Sequence, residues 1–295
     1  MRNLICCLLL LSLSAQTVFA NIPKSEKKAL IEFYNATNGD EWTTNWNFNS
    51  EVSEWHGIKV VDNHVTEINL FKNNLAGTLP KSIGNLRNLV SLNLAFNSLT
   101  GELPEEMVEL AKLRVLKIEM NRFKGELPKG LGNLKSLVEL TAFNNFLSGS
   151  IPESIGEIKN LKILNLSSNS LKGSIPKSVG SLASLETLGL FENTLEGNIP
   201  AEMGNLANLK ELVLANNQLG GDVPAEFGQL ASLEVFQIQN NKFNSVKNLA
   251  VMQNREFLVF DYDKDGFDLN IDFKEPNFNK TRMADTKFED DGVDD

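Results

Sequence analysis

Residues 89–104 read LVSLNLAFNSLTGELP, and this stretch decides the fold because close copies of it recur at a spacing of 24 residues. A fixed period in this range is the sequence signature of a solenoid. In a solenoid each repeat buries its apolar face only against its neighbours, so the architecture is a stack. The residues on this spacing are the prolines Pro80, Pro104, Pro128, Pro152, Pro176, Pro200 and Pro224, the glycines Gly77, Gly101, Gly125, Gly149, Gly173, Gly197 and Gly221, and the asparagines Asn73, Asn97, Asn121, Asn145, Asn169, Asn193, Asn217 and Asn241.

Within one repeat, the type of each residue that recurs every 24 positions indicates its physical role. Leu92 and Leu94 are two positions apart, so in a strand both side chains point to one side, toward the core. Asn97 follows where the chain must turn, and its amide can bond to backbone groups that the turn leaves unpaired. Stacked copies would form a ladder. Gly101 permits a close bend, and Pro104 stops helix or ladder propagation at a fixed place.

A second apolar set lies on the return arc of each repeat. These side chains would fill the core from the wall opposite the strands, so the pattern predicts a coil with one continuous apolar interior. The set consists of Ile83 and Leu86, Leu131 and Leu134, Ile155 and Ile158, Val179 and Leu182, Met203 and Leu206, and Phe227 and Leu230.

The segments L-x-G-x-L-P and L-x-G-x-I-P, followed by I-G-N-L or close variants, closely resemble the plant-type leucine-rich repeat family. Residues 75–80, 171–176 and 195–200 are examples, and the resemblance covers roughly residues 22–245. The resemblance implies an α/β solenoid, a right-handed coil with a parallel β-sheet on its concave face. It also implies an N-terminal helical cap. Adding 24 to Phe236 and Ile238 gives Phe260 and Tyr262, which predicts a degenerate C-terminal closing strand.

The chain divides into five predicted segments. Residues 1–20 have the features of a signal peptide, with Arg2, an apolar run over 4–13, and a small-residue site ending at Ala20. They are followed by an N-terminal cap (21–64), repeats of 24 residues (65–245), a degenerate terminal repeat (246–268) and an acidic tail (269–295). Secretion to the periplasm, the cell surface or the medium is therefore expected. Cys6 and Cys7 both lie in the signal, so the mature chain lacks cysteine.

The predicted cap opens with a helix that starts at Ser25 and turns Ala29, Leu30 and Phe33 inward. Three tryptophans follow and are expected to cover the exposed end of the first repeat; they are Trp42, Trp46 and Trp55. The cap sequence resembles that of the same family, whose plant extracellular members usually carry a cysteine pair here. Val60 stands near the expected second cysteine, which favours a bacterial secreted or surface member.

The charge distribution argues against nucleic acid as a partner. The chain has 28 basic and 38 acidic side chains, a formal net charge of −10, and the acids concentrate in residues 261–295. A nucleic-acid interface would be basic and clustered, and an anionic membrane surface also attracts basic segments. Beyond the signal, no apolar run is long enough to span a membrane. An extracellular protein or polysaccharide is therefore the expected partner.

The motif D-x-D-x-D-G at Asp261, Asp263 and Asp265 matches the opening of a calcium-binding loop. Its twelfth position is Asp272 rather than the usual glutamate. The repeat register instead places Asp261 and Asp263 outward on the closing strand, and this interpretation is favoured, with a calcium site as the alternative. No nucleophile motif accompanies His56 and His64, the only histidines, so we predict neither catalysis nor a cofactor.

Two columns of side chains just before each ladder asparagine are expected to face solvent on the concave sheet. Apolar residues there do nothing for the core, and exposed aromatic stripes usually mark interaction surfaces. The predicted partner-binding residues are Phe71, Phe96, Met120, Phe143 and Phe191. Neighbouring side chains could instead cover them. The sequence predicts a recognition module that binds a protein or glycan; a structural or adhesive surface protein and an inhibitor of an extracellular hydrolase remain alternatives.

Overall fold

The structure, a computed structural model, describes residues 22–252 and 255–263. The predicted signal peptide, Asp265 and the predicted acidic tail lie outside the described residues. Each repeat contributes a strand to a first sheet, a strand to a second sheet and a short 3₁₀ helix on the return arc. The result is the predicted solenoid.

The strands are short because the chain turns at every corner of the coil. In chain order they are β1 (Ile58–Val61), β2 (His64–Asn69), β3 (Ala76–Thr78), β4 (Ser91–Asn93), β5 (Ser98–Gly101), β6 (Val115–Lys117), β7 (Arg122–Glu126), β8 (Glu139–Thr141), β9 (Phe146–Gly149), β10 (Ile163–Asn165), β11 (Ser170–Gly173), β12 (Thr187–Gly189), β13 (Thr194–Asn198), β14 (Glu211–Val213), β15 (Gln218–Asp222), β16 (Val235–Gln237), β17 (Lys242–Ser245) and β18 (Val259–Asp261).

The first sheet has the order β1-β2-β4-β6-β8-β10-β12-β14-β16-β18 and lines the concave face. Its pairs are parallel from β2 onward, whereas β1 and β2 form an antiparallel hairpin. Paired residues of neighbouring strands are one repeat, or 24 positions, apart, so Leu92 pairs with Leu116. The same spacing holds at the far end, where Phe236 pairs with Phe260. The predicted closing strand is therefore confirmed.

The second sheet was not expected from the sequence. It runs β17-β15-β13-β11-β9-β7-β5-β3 and follows the ladder asparagines. The glycine of each repeat ends or interrupts these strands with a positive φ, as at Gly101 (φ 79°). An added Cβ at Gly101 would approach the Thr78 side chain to 2.8 Å, so the preceding repeat leaves no room for one.

The periodic prolines precede the return arcs. The carbonyl of Pro104 accepts a hydrogen bond from the N–H of Met107 at 2.9 Å, which closes the first 3₁₀ turn. Proline suits this place because its fixed φ is compatible with a turn and its missing donor is not needed. The 3₁₀ helices are Gly39–Glu41, Val52–Glu54, Lys81–Asn85, Glu105–Glu109, Leu131–Asn133, Glu153–Glu157, Lys177–Ser181, Ala201–Asn205, Ala225–Gln229 and Lys247–Met252.

The ladder asparagines join adjacent repeats, as predicted. Nδ2 of Asn121 donates to the carbonyl of Leu94 in the preceding repeat at 2.9 Å and to that of Ile118 at 3.1 Å. Its Oδ1 accepts from the N–H of Leu99 at 3.0 Å. One side chain thus satisfies backbone groups of two turns, which would otherwise be buried without partners.

The N-terminal end is closed by helix α1 (Lys24–Ala36), which begins one residue before the predicted Ser25. Leu30 and Phe33 are fully buried, and Trp42, Trp46 and Trp55 are each less than 5% exposed. The Phe33 ring contacts that of Trp42 with centroids 5.9 Å apart. The tryptophans belong to the same buried apolar cluster as Val65 and Ile68 of the first repeat, which agrees with the predicted cap.

Candidate functional site: the concave face

The predicted partner-binding residues lie at the corner that follows each first-sheet strand, not on the strand itself. The strand of one repeat ends at Asn93, whereas its two candidate positions are Ala95 and Phe96. The second position adopts a left-handed backbone in eight successive repeats, with φ between 50° and 58°. The sequence reasoning that treated these positions as strand residues was therefore wrong about the backbone. The left-handed residues are Lys72, Phe96, Met120, Asn144, Ser168, Glu192, Asn216 and Asn240.

Phe71 and Phe96 form an exposed aromatic pair at the N-terminal end of this face. Their side chains are 50% and 42% exposed, and their ring centroids are 5.2 Å apart with an interplanar angle of 59°. Two water-exposed rings that contact each other gain less burial than core rings do. They form an apolar surface of the kind that marks a binding site.

Phe96 also sits in a backbone conformation that bulky side chains avoid. A non-glycine residue in the left-handed region costs about 1–2 kcal/mol, and asparagine tolerates it best. Later repeats place Asn144, Asn216 and Asn240 at this position. Phe96 and Met120 hold the same backbone without that advantage, so stability does not explain them.

The other three candidates are more covered than the sequence analysis expected. Met120, Phe143 and Phe191 are half-buried, and Nδ2 of Asn144 lies 2.8 Å from the sulfur of Met120. Strands of neighbouring repeats lie only about 4.8 Å apart, so each of these side chains is close to the repeats on both sides. The structure thus brings Phe71 and Phe96 together. It shows no ring contact that joins Phe143 and Phe191 to them among the described residues.

Glu119 is an acidic residue in the same column as Phe71 and Phe143. It is only 9% exposed, and its Oε2 accepts a hydrogen bond of 2.6 Å from the hydroxyl of Thr141. Two residues before it, at the end of β6, Lys117 forms an ion pair with Glu139 of β8 at 2.9 Å. The concave face near β6 therefore holds one nearly buried carboxylate beside a lysine–glutamate ion pair whose charges cancel.

The four outward columns of this face carry more acid than base. We count the two outward strand positions and the two corner positions of each repeat. Among the residues that the structure describes, the acidic residues in these columns are Glu67, Glu119, Glu139, Glu192, Glu211, Asp261 and Asp263, and the basic residues are Lys72 and Lys117.

Phe146 is an exposed aromatic residue that the sequence analysis missed. Its side chain is 60% exposed at the start of β9, and Lys124 pairs with it in register on β7. Phe146 occupies the position directly after the ladder asparagine. In other repeats this position holds polar residues such as Ser98, Arg122 and Ser170. This one aromatic residue at an otherwise polar position was the sequence signal that could have identified Phe146 as exposed.

The two described aspartates of the calcium-like motif bind protein groups at the closing strand. Oδ2 of Asp261 accepts from Nε2 of Gln237 at 2.9 Å. Oδ1 of Asp263 accepts from the backbone N–H of Asn240 at 3.0 Å, a donor that each earlier repeat satisfies with a carbonyl. Across the part of the chain that the structure describes, no group of three or more histidine, cysteine or acidic residues could hold a metal.

The two histidines are parts of the cap. Nδ1 of His64 lies 2.6 Å from Oε1 of the buried Glu26, whose Oε2 accepts from the N–H of Val65 at 2.8 Å. The carbonyl of His56 accepts from the indole of Trp46 at 2.8 Å. These contacts fasten α1 and the cap loop to the first repeats.

A charge ladder runs beside the concave sheet toward its C-terminal end. The carboxylate of Glu186 is bonded by Lys162 at 2.7 Å and by Lys210 at 2.8 Å. These hydrogen bonds and charges lower the pKa of Glu186 from 4.5 to about 2, and the Glu186 contact raises the pKa of Lys210. Both lysines are bonded to this one carboxylate, so the three groups together carry one net positive charge.

None of the helices within 22–252 and 255–263 is both long and apolar enough to cross a bilayer.

Comparison with known proteins agrees with this architecture. A family model described as "Leucine-rich repeat region" matches residues 68–168, and one described as "Leucine Rich Repeat" matches 160–182 and 208–230. No curated protein matches the chain. The fold is a leucine-rich repeat solenoid.

Solved structures of plant receptor ectodomains are similar to this chain. The ectodomain of the Arabidopsis thaliana receptor kinase GASSHO1/SCHENGEN3, in complex with CASPARIAN STRIP INTEGRITY FACTOR 2, is 31% identical over 80% of this chain and 30% of that chain, with a TM-score of 0.74. The PEPR1-AtPEP1 structure is 28% identical over 82% and 36%, with a TM-score of 0.72. The Arabidopsis receptor kinase HAESA, in complex with the peptide hormone IDA and the co-receptor SERK1, is 34% identical over 68% and 35%, with a TM-score of 0.61.

The chain spans about a third of the length of these receptor chains. Leucine-rich repeat ectodomains of this kind are typical recognition modules rather than enzymes.

Proposed function

We propose that this chain is a secreted or cell-surface recognition module that binds a protein or peptide partner across its concave face. The observation that carries the proposal is the exposed Phe71–Phe96 pair, whose rings are 5.2 Å apart. Met120, Phe143 and Phe191 are half-buried at the equivalent positions of later repeats, and we propose that they add to this surface. The similar receptor HAESA is described in complex with a peptide hormone and a co-receptor, which supports a peptide or protein rather than a small molecule as the partner of this chain.

The dimensions of the face support the same class of partner. Nine parallel strands about 4.8 Å apart give an inner face roughly 40 Å long. Protein interfaces are broad and carry a few aromatic anchors, whereas small-molecule sites are enclosed. A polysaccharide partner would also span such a face and is an outcome that the experiment below distinguishes.

Affinity capture with chain 21–295 tests the proposal. We expect one protein or peptide to be retained, and the purified partner to bind about thirtyfold more weakly or worse to Phe71→Ala and Phe96→Ala. Phe146→Ala, which removes an exposed ring on the second sheet, is the matched control and should bind normally. Loss of binding on Phe146→Ala alone would move the site off the concave face, and retention of a glycan with no protein or peptide would contradict a protein partner.

Export is the second part of the proposal, and it rests on the signal-like residues 1–20. N-terminal sequencing of the protein made by its source organism should begin at Asn21. Full-length protein confined to the cytosol would contradict export. A bacterial source remains an expectation from the cysteine-free cap alone, and the plant receptors named above do not support it.

A further inference from the structure

Glu119 is a nearly buried acidic residue on the concave face that has no basic partner among the described residues. It is 9% exposed, and Thr141 is the hydrogen-bond donor that reaches it. No lysine, arginine or histidine of the described residues forms an ion pair with it, although Glu139, across from Lys117, has one. Burying an ionised carboxylate without a counter-charge is unfavourable, so a cation from outside the chain would relieve that cost.

The surroundings of Glu119 suit a cation that carries an apolar stem. The N–H of Phe96 bonds to the carbonyl of Glu119 at 3.0 Å, and the N–H of Met120 bonds to that of Phe143 at 2.9 Å. These contacts set Glu119 in a repeat flanked by Phe96 on one side and Phe143 on the other. Ala95, the residue beside Glu119 in its column, is small and fully buried, so its side chain brings no charged or hydrogen-bonding group to the carboxylate.

The charge of the whole face favours the same occupant. Its outward columns carry an excess of acids, and Lys117, the base nearest in sequence to Glu119, is already paired with Glu139 at 2.9 Å. Complementary charge steers a partner and fixes its register more than it adds affinity. An acidic partner would meet repulsion from the acids in these columns that have no basic partner within the described part of the chain, such as Glu67 and Glu192.

We infer that the partner presents a basic and apolar segment, and that one lysine or arginine of that segment binds the Glu119 carboxylate between the repeats of Phe96 and Phe143. This inference rests on the proposed function of the concave face. Aromatic rings attract guanidinium and ammonium groups through their faces, and such groups keep apolar stems against the rings. Thr141 positions the carboxylate through its 2.6 Å hydrogen bond.

Selection from a random peptide library displayed on phage, with the mature chain immobilised, tests the inference. We expect enriched peptides to contain lysine or arginine next to apolar residues. A synthetic copy of the best peptide should bind Glu119→Gln roughly thirtyfold more weakly. Glu211→Gln is the matched control, because Glu211 is an acid on the same face that also lies beside a threonine hydroxyl, at 3.5 Å. It should change binding less than threefold.

A change on the peptide side separates charge recognition from misfolding. Citrulline keeps the shape of arginine but is neutral, so its substitution should cost the same factor on the unaltered protein and nothing further on Glu119→Gln. Enriched peptides that are neutral or acidic, or equal losses in Glu119→Gln and Glu211→Gln, would overturn the inference. If those peptides still require Phe71 and Phe96, the proposed function stands; if no concave-face substitution affects them, it fails as well.

Discussion

Trp46 and Trp55 stack in the N-terminal cap with ring centroids 4.9 Å apart, yet only one of their two indole N–H groups has a hydrogen-bond partner among the described residues. That of Trp46 donates to the carbonyl of His56 at 2.8 Å. That of Trp55 is buried and has no hydrogen-bond partner among the described residues. Two neighbouring rings of the same type thus differ by one satisfied polar group, which makes them a matched pair for mutation.

Trp55→Phe should therefore destabilise the protein less than Trp46→Phe, by about 1 kcal/mol. Both changes shorten a buried ring, but only the second leaves the His56 carbonyl without its donor. Trp55→Ala, which empties the site, should cost about 3–5 kcal/mol. Urea unfolding of the three variants measures these differences. Equal losses for the two phenylalanine variants would show that the Trp55 N–H finds a partner.

Asn121→Ala should cost about 2–3 kcal/mol, because it leaves buried backbone groups of two repeats without partners. Asn133→Ala is the control. Asn133 is exposed at the end of a 3₁₀ helix, and its substitution should stay within about 0.5 kcal/mol. Denaturant unfolding measures both, and a small loss for Asn121→Ala would mean that the ladder adds little to the stacking of repeats.

Phe96→Asn should make the protein more stable, by about 1 kcal/mol, while weakening partner binding. Asparagine suits the left-handed backbone at φ 58°, which phenylalanine does not. Asn144→Phe is the reverse change at the equivalent position and should lower stability by a similar amount. Thermal unfolding and titration with the captured partner give the two readouts. A less stable Phe96→Asn would place the ring among core contacts.

The pKa of Glu186 gives the ladder a defined pH dependence. Its value in the folded protein is lowered from 4.5 to about 2, so its contribution to stability is present above pH 4.5 and is lost as the pH falls toward 2. Carboxyl NMR titration should show this value directly. Lys162→Ala and Lys210→Ala should each raise the pKa of Glu186, whereas Lys112→Ala, which removes a lysine bonded to Asn88, should not.

Calcium titration calorimetry on the mature chain should show no stoichiometric site at Asp261 and Asp263. Both carboxylates bind protein donors, from Gln237 and from the backbone of Asn240. Asp263→Ala should instead lower the free energy of unfolding by about 1–2 kcal/mol, because it strips that backbone group of its acceptor. A stoichiometric calcium site that Asp263→Asn abolishes would contradict this interpretation and favour the calcium loop.

The sequence by itself determined the period, the strand register and the inward side chains. Each repeat meets its neighbour at a constant offset of 24 residues, so the pairing of Leu92 with Leu116 and of Phe236 with Phe260 follows from the spacing. The ladder role of Asn121 follows for the same reason. A short-range pattern suffices here because a solenoid has contacts only between adjacent repeats.

Only the tertiary structure decided which outward residues are accessible and which acids are paired. The exposure of Phe71 and Phe96, the partial cover of Phe143 and the bond from Thr141 to Glu119 each depend on side chains from at least two repeats. The left-handed corner behind Phe96 depends on how the chain leaves one sheet for the next. Periodicity tells which side a residue faces, whereas the size and conformation of its neighbours decide how much of it a partner can reach.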